Sequence, residues 1–273
     1  MDIYYKPISE SGKQMINYVC KYAPVELFKG FGQECAVLEE MPENFDKSDK
    51  IAHANLCGFG KSVIQAVLEG KVEELVLVNC CDSMRRVYDI IENTKKCKFL
   101  YMLDLPHEDN ECENIKFAQS ILRLKKAYER YSQRKFDREL FIKSFTQPQQ
   151  ERKPYIGLLG VHVSSILEKT IRENMQMDVE NMTCTSGRNL IILQKDLRNM
   201  DDETLFLAYA ESLLGQVPCA RMNNNTRRNQ LFLDPSLKGI IYHTIKFCDY
   251  YGFEYASIKN NIKVTLLKLE TDF

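Results

Sequence analysis

What this chain lacks narrows it first. No stretch of its 273 residues stays apolar long enough to cross a bilayer, so no membrane partner is expected. The opening MDIYYKPISE has no apolar signal core, and the chain is expected to be cytoplasmic, where thiols stay reduced and disulfides are a poor account of its cysteines. Charge of one sign is missing too. Thirty-seven Lys and Arg stand against 38 Asp and Glu, a net charge of −1, and no nucleic-acid partner is expected. The one dense basic run, KKAYERYSQRK at 125–135, reads as a solvated helix end. There are only 4 histidines and no CxxC pair, which argues against structural zinc, whose ligands come closely paired. No internal repeat of solenoid length occurs.

What is present is cysteine, 10 of them, in a chain with 44% hydrophobic and 27% charged residues, enough for one large or two modest cores. Several thiols fall where an apolar run gives way to a loop: Cys57 after KIAHANL, Cys80 and Cys81 after ELVLV, Cys248 after IIYHTIKF. In open parallel sheets the carboxyl ends of the strands form the ligand crevice, so thiols there converge although distant in sequence. Soft thiolates without a matching set of histidines favour an iron-sulfur centre, held between two α/β domains. A free cysteine is also a small buried hydrophobe, and that is the role expected of Cys35 and Cys97.

Apolar runs alternate with amphipathic ones, the pattern of βα units and a parallel sheet. Strands are predicted near ECAVLEE, KIAHANL, ELVLVNC and KFLYMLDL. KSVIQAVLEG is a helix with Val63, Ile64, Val67 and Leu68 on one face and Gly70 at its end. Asp82 and Ser83 are placed to cap the next helix, whose buried stripe is Met84, Val87, Tyr88 and Ile91. Phe117, Ile121, Leu124, Tyr128 and Tyr131 recur at helical spacing as core packing. QPQQERKP at 147–154 reads as a linker, dividing the chain into residues 1–148 and 149–273. A second βα series follows: the strand YIGLLG, the helices ILEKTIRENM and MDDETLFLAYAESLLG, and buried strands in KGIIYHTIKFC and KVTLLKLE.

NLCGFGKS ends like a phosphate-binding loop, but Asn55 stands where GxxxxGKS needs its first glycine, so nucleotide is not the expected ligand. The backbone at Gly58 to Lys61 can instead receive a negative cluster, and its free N–H groups would stabilise the Cys57 thiolate.

YAPVELFKGFG, HANLCGFGKS, VNCCDSMRRVYD, YMLDLPH and IIYHTIKFCDYYGFEY, in that order, resemble the successive blocks of the 2-hydroxyacyl-CoA dehydratase and benzoyl-CoA reductase family. The resemblance implies an α/β fold of two Rossmann- or flavodoxin-like domains with parallel sheets and an iron-sulfur cluster in the cleft between them. It implies Cys57, Cys81 and Cys248 as the three ligands of a 4Fe-4S cluster with one open iron. The activity it implies is that of an anaerobic lyase or oxidoreductase: one low-potential electron passes to an acyl-CoA thioester so that an unactivated hydroxyl can leave. An ATP-hydrolysing, iron-sulfur activator protein would supply that electron, and the chain would pair with itself or with a related subunit.

Two features depart from the catalytic subunits. KFDRELFIKSFTQPQQERKP stands where they usually carry a longer helical insertion over the acyl-CoA, and the chain ends at LETDF where relatives continue into a helix. Cys80 beside Cys81, with Cys20 and Cys219, exceeds what one 4Fe-4S cluster needs. The resemblance extends to double-cubane cluster proteins, which reduce small molecules, and there Cys20, Cys57, Cys80, Cys81, Cys219 and Cys248 would hold an 8Fe-9S cluster, with Cys184 in reserve. A non-catalytic cluster carrier or partner subunit is the third class. Glu26 and His107 are candidate catalytic side chains, with Arg85, Arg86 and His243 as lesser candidates for orienting substrate or moving protons, while His53 is expected to be a hydrogen-bonded core residue.

Overall fold

The computed structural model of the chain describes residues 15–39, 42–145, 153–188, 190, 192, 197–223 and 226–272. Short apolar runs rich in Val, Leu and Ile become strands, and the amphipathic runs between them become helices. The order is β1 (Ile16–Tyr18), α1 (Val25–Lys29), β2 (Cys35–Val37), α2 (Gly58–Leu68), β3 (Glu74–Val78), α3 (Asp82–Thr94), β4 (Phe99–Leu103), α4 (Glu111–Ser132) and α5 (Arg138–Lys143). Then come β5 (Tyr155–Gly160), α6 (Ser165–Asn174), β6 (Asp178–Asn181), α7 (Asp202–Leu214), α8 (Thr226–Leu231), β7 (Leu237–Ile245), α9 (Asp249–Ile258) and β8 (Thr265–Thr271).

These strands make two parallel four-stranded sheets, β2-β1-β3-β4 and β6-β5-β7-β8. The α/β class is as expected, and the two orders are the same permutation, that of a doubly wound, flavodoxin-like sheet. β3 is buried at all five positions, as a strand flanked on both sides must be. Gly160, at the end of β5, has φ +101°, and a Cβ there would collide with the His243 carbonyl of neighbouring β7, so only glycine lets the two central strands close up. Gly70, at φ +76°, turns the chain one residue beyond the C-cap of α2.

Several expectations need correction. KIAHANL is not a strand; its residues form turns, and β1 from INY takes the central place in the sheet. Only Ile51 in KIAHANL is β-branched, and the turn just before it is pinned by Gln65, whose Oε1 accepts from the N–H of Lys47 and Ser48 at 3.1 and 2.9 Å. His53 is consequently exposed, with its Nδ1 accepting from the Asn55 N–H at 3.1 Å. Cys81, not Asp82 or Ser83, is the N-cap of α3. β8 is an exposed edge strand, because it has a neighbour on one side only. Residues 147–152 of the expected linker lie outside the described residues.

The principal core runs through both halves. Phe136 and Phe141, from α5 and the loop before it, pack on Phe206 of α7, with ring centroids 6.0 and 5.2 Å apart, and Phe141 meets Tyr209 edge-on at 5.0 Å. The stripe expected on α4 is buried at Phe117, Ile121, Leu124 and Tyr128, with Tyr131 packed against it. This continuous apolar contact packs the two halves of the chain against each other.

Candidate metal centre

In a sheet of order 2-1-3-4 the connections leave the two central strands in opposite senses, which opens a crevice at their carboxyl ends. Cys20 follows β1, and Cys80 and Cys81 follow β3, so the first sheet delivers three thiols there. Cys248 follows β7, and Cys184 follows β6 at the same end of the second sheet. The two ends are joined directly, the Lys21 N–H donating to the Cys184 carbonyl at 3.1 Å and the Cys219 N–H to the Tyr22 hydroxyl at 3.3 Å.

Cys57, Cys81 and Cys248 occupy the N-caps of α2, α3 and α9. Three helix N-termini thus turn partial positive charge toward these sulfurs, an arrangement that favours thiolate and anionic ligands. Cys57 Sγ accepts from the Gly60 N–H at 3.4 Å.

All ten cysteines are free, and seven of them, Cys20, Cys57, Cys80, Cys81, Cys184, Cys219 and Cys248, lie close enough to act on one another's charge. Burial raises the pKa of Cys57, and the charge of Cys81 raises it further. Burial pushes Cys248 up to about 12, with contributions from Cys57 and Cys81. Cys184 is driven well above the ordinary thiol range by burial and by the fields of Cys248, Cys20, Cys219 and Cys81, and Cys219 is raised by burial despite Lys21. Hydrogen bonding with Cys80 lowers the pKa of both Cys20 and Cys81 and raises that of Cys80. Without a metal most of these thiols stay neutral; a cation that removes their protons releases that penalty.

Cys35 and Cys97 lie apart, half-buried against the core, and Cys112 is exposed on α4. Glu26 is buried, its Oε2 accepting from Arg188 Nη2 at 2.5 Å and from the Tyr209 hydroxyl at 2.7 Å. His107 is exposed beside the Arg221 carbonyl, 3.4 Å from its Nδ1. Arg85 and Arg86 are on the outer face of α3, where Arg86 pairs with Asp89 at 2.9 Å. His243 is buried in β7 with Nε2 3.0 Å from the Thr271 hydroxyl.

Among the described residues no three His, Cys, Asp or Glu side chains form a site for a single metal ion. A polynuclear cluster spreads its thiolates over different irons and needs wider spacing, and seven soft sulfur donors with no carboxylate among them suit that kind of centre.

A family model described as 2-hydroxyglutaryl-CoA dehydratase, D-component, matches residues 20–160 and 146–273. The chain belongs to this family. No curated protein matches it. The two matched stretches take in all seven gathered thiols and make the chain a dehydratase-type subunit by descent. Among the described residues no helix is long and apolar enough to cross a membrane.

Sequence reasoning missed Lys21 and Arg221, whose charges act on the thiols, and two further polar residues of the interior, Arg188 and His162. A lysine or arginine beside a cysteine in a loop gives no periodic signal, and burial of its charge appears only after folding. His162 stacks on Phe59 with ring centroids 4.2 Å apart and shares a 2.9 Å hydrogen bond with Thr185. Burial, aided by His243, lowers its pKa to about 3. The unfolded chain therefore binds a proton at His162 between about pH 6.5 and 3 that the folded chain refuses, and stability falls as pH drops through that window. Between pH 6.5 and 5 this amounts to about 2 kcal/mol. Urea unfolding of the metal-free protein at the two pH values should show it, and His162→Gln should flatten the slope; equal slopes for the two proteins would refute the assignment.

Proposed function

We propose that this dehydratase-type subunit is a low-potential iron-sulfur enzyme, with Cys57, Cys81 and Cys248 holding a 4Fe-4S cluster between two Rossmann-like domains that divide near residues 148 and 149. One observation carries the reading: three thiols from both halves, each capping a helix, lie within one another's fields. Bound there, the cluster would supply one strongly reducing electron to an acyl-CoA thioester, with loss of an unactivated hydroxyl. The chain's own residues orient and insulate. Helix N-termini offset thiolate charge, and the buried walls around Cys20, Cys57 and Cys219 keep water from the sulfurs. His107, exposed beside Arg221, is the candidate for moving a proton to or from substrate at the rim. Glu26, already engaged by Arg188 and Tyr209, acts as a positioning residue for the loop that carries Cys20. The electron donor is an ATP-hydrolysing iron-sulfur activator, and the subunit pairs with a second copy or a related chain.

A second reading, a double-cubane centre in a small-molecule reductase, is favoured by the hydrogen bonding of Cys80 with both Cys20 and Cys81 and by the proximity of Cys219. Iron and acid-labile sulfide in anaerobically purified protein distinguish the two, at about four irons per chain against about eight. Cys80→Ser leaves the smaller count unchanged and roughly halves the larger one. Protein that takes up neither iron nor sulfide on anaerobic reconstitution would end both readings. Equal reduction by the activator with and without ATP hydrolysis, followed by electron paramagnetic resonance, would leave only a cluster carrier.

A further inference from the structure

Three lysine or arginine side chains are buried among the described residues: Lys21, Arg221 and Arg228. A buried cation is costly unless an anion answers it. Arg228 is answered by Glu254, and the slightly more exposed Arg188 by Glu26. Lys21, at 1% exposure, and Arg221, at 5%, have no carboxylate partner among the described residues. Lys21 Nζ donates to the Val217 carbonyl at 2.5 Å and lies 5.6 Å from the centre of the Tyr22 ring. The Arg221 guanidinium donates to the carbonyls of Pro106 and Leu105 at 2.6 and 2.7 Å. Carbonyl oxygens and a ring face offer partial negative charge. Neither cation meets a whole one.

Both cations lie near thiols. Lys21 is next to Cys20 in the chain and is tied through its N–H to the Cys184 carbonyl. Its acceptor, Val217, and the neighbouring Tyr22 hydroxyl both belong to the surroundings of Cys219. Its charge acts on Cys20 and Cys219, and that of Arg221 acts on Cys20, Cys81 and Cys219. The two cations thus approach the thiol group from the β1 side and from the loop after α7, beside the sulfurs that do not cap helices.

We propose that Lys21 and Arg221 are the counter-cations of the thiolate-bound centre, positioning residues that balance its negative charge and raise its reduction potential, and that Cys20 and Cys219 border it. The inference rests on the iron-sulfur reading of the same thiols. Reduction adds an electron to an already anionic group in a poorly screened interior, so a fixed cation nearby stabilises the reduced form more than the oxidised one. The helix N-termini would then serve the three capping cysteines, and these two side chains the remainder of the site.

The test uses the full chain, reconstituted anaerobically with iron and sulfide, in four forms: wild type, Lys21→Met, Arg221→Gln and Arg221→Lys. In redox titrations followed by electron paramagnetic resonance, Lys21→Met and Arg221→Gln should shift the midpoint to more negative potential, and Arg221→Lys, which keeps the charge, should stay near wild type. Iron content should be at wild-type level wherever the charge is kept. Unmoved potentials at full iron content would overturn the proposal, and so would loss of iron in Arg221→Lys as severe as in Arg221→Gln. Thermal unfolding of the metal-free protein gives a readout independent of iron. There Lys21→Met should raise the Tm by removing an unanswered charge, whereas in the loaded protein the same change should lower it. A lowered Tm in the metal-free form would mean that Lys21 is already compensated, and would overturn the proposal. Wild-type protein that binds no iron would instead defeat the iron-sulfur reading, and the metal-free unfolding would still decide whether Lys21 lacks an anion.

Discussion

Serine in place of Cys81 is expected to cost at least about ten-fold in affinity for the metal centre, and so to lower the iron retained, because substitutions one shell removed from a metal already cost about 10–100-fold in affinity and a ligand cannot matter less. Cys81 caps α3 and lies in the fields of Cys57, Cys184 and Cys248, whereas Cys80 beside it caps no helix. Serine keeps the size and the capacity to cap a helix, which separates loss of sulfur from loss of fold. Cys97→Ser is the matched control. Its thiol packs half-buried against the core, its pKa raised to about 11 by burial alone, and its removal should leave the iron content unchanged. Iron and sulfide analysis after anaerobic reconstitution measures both, and full iron retention in Cys81→Ser would remove Cys81 from the centre.

The largest effect on stability is expected at Arg188. Its guanidinium pairs with Glu26 and also donates to the carbonyls of Lys21, at 2.6 Å, and Ala23, so it pins the loop after β1 to the second half of the molecule. Arg188→Met fills much of the volume but leaves the Glu26 carboxylate buried with Tyr209 as its remaining donor among the described residues and frees two carbonyls. Breaking a buried ion pair from one side costs about 3–5 kcal/mol. Chemical denaturation should report a loss of that size, and the double variant Arg188→Met with Glu26→Gln should recover part of it, since no bare charge is then left inside. Absence of that recovery would mean that Arg188 acts through packing alone.

Much of the fold was legible because burial on both faces of a parallel sheet writes itself as unbroken apolar runs. ELVLV, FLYML, YIGLLG and the run ending in IIYHTI became strands, and the helical stripes are buried at Met84, Val87 and Ile91 of α3 and at Phe117, Ile121, Leu124 and Tyr128 of α4, while Tyr88 and Tyr131 are half-buried at their edges. β1 was hidden because it is three residues long and Lys21 interrupts the apolar run behind it. KIAHANL misled because alanine and isolated apolar residues give the same hydropathy as a weak strand, while the hydrogen bonds from Gln65 that hold the preceding turn come from a distant helix. β8 looked buried since its composition is that of a central strand, and only the strand order reveals that it is an edge.

The site divides in the same way. Sequence by itself determined that Cys80, Cys81 and Cys248 follow strands, that the chain is a pair of similar α/β units, and, through ordered blocks, the family to which it belongs, but it wrongly put a strand before Cys57. Tertiary structure alone decided that Cys57, Cys81 and Cys248 share the N-cap position, that Cys20, Cys80, Cys184 and Cys219 lie near them, and that Lys21 and Arg221 are buried with no carboxylate partner among the described residues. The reason is physical. Hydrophobic periodicity is a local property of the chain and survives in one dimension, whereas the cost of a buried charge depends on which distant groups surround it, and those are chosen only when the two sheets close against each other.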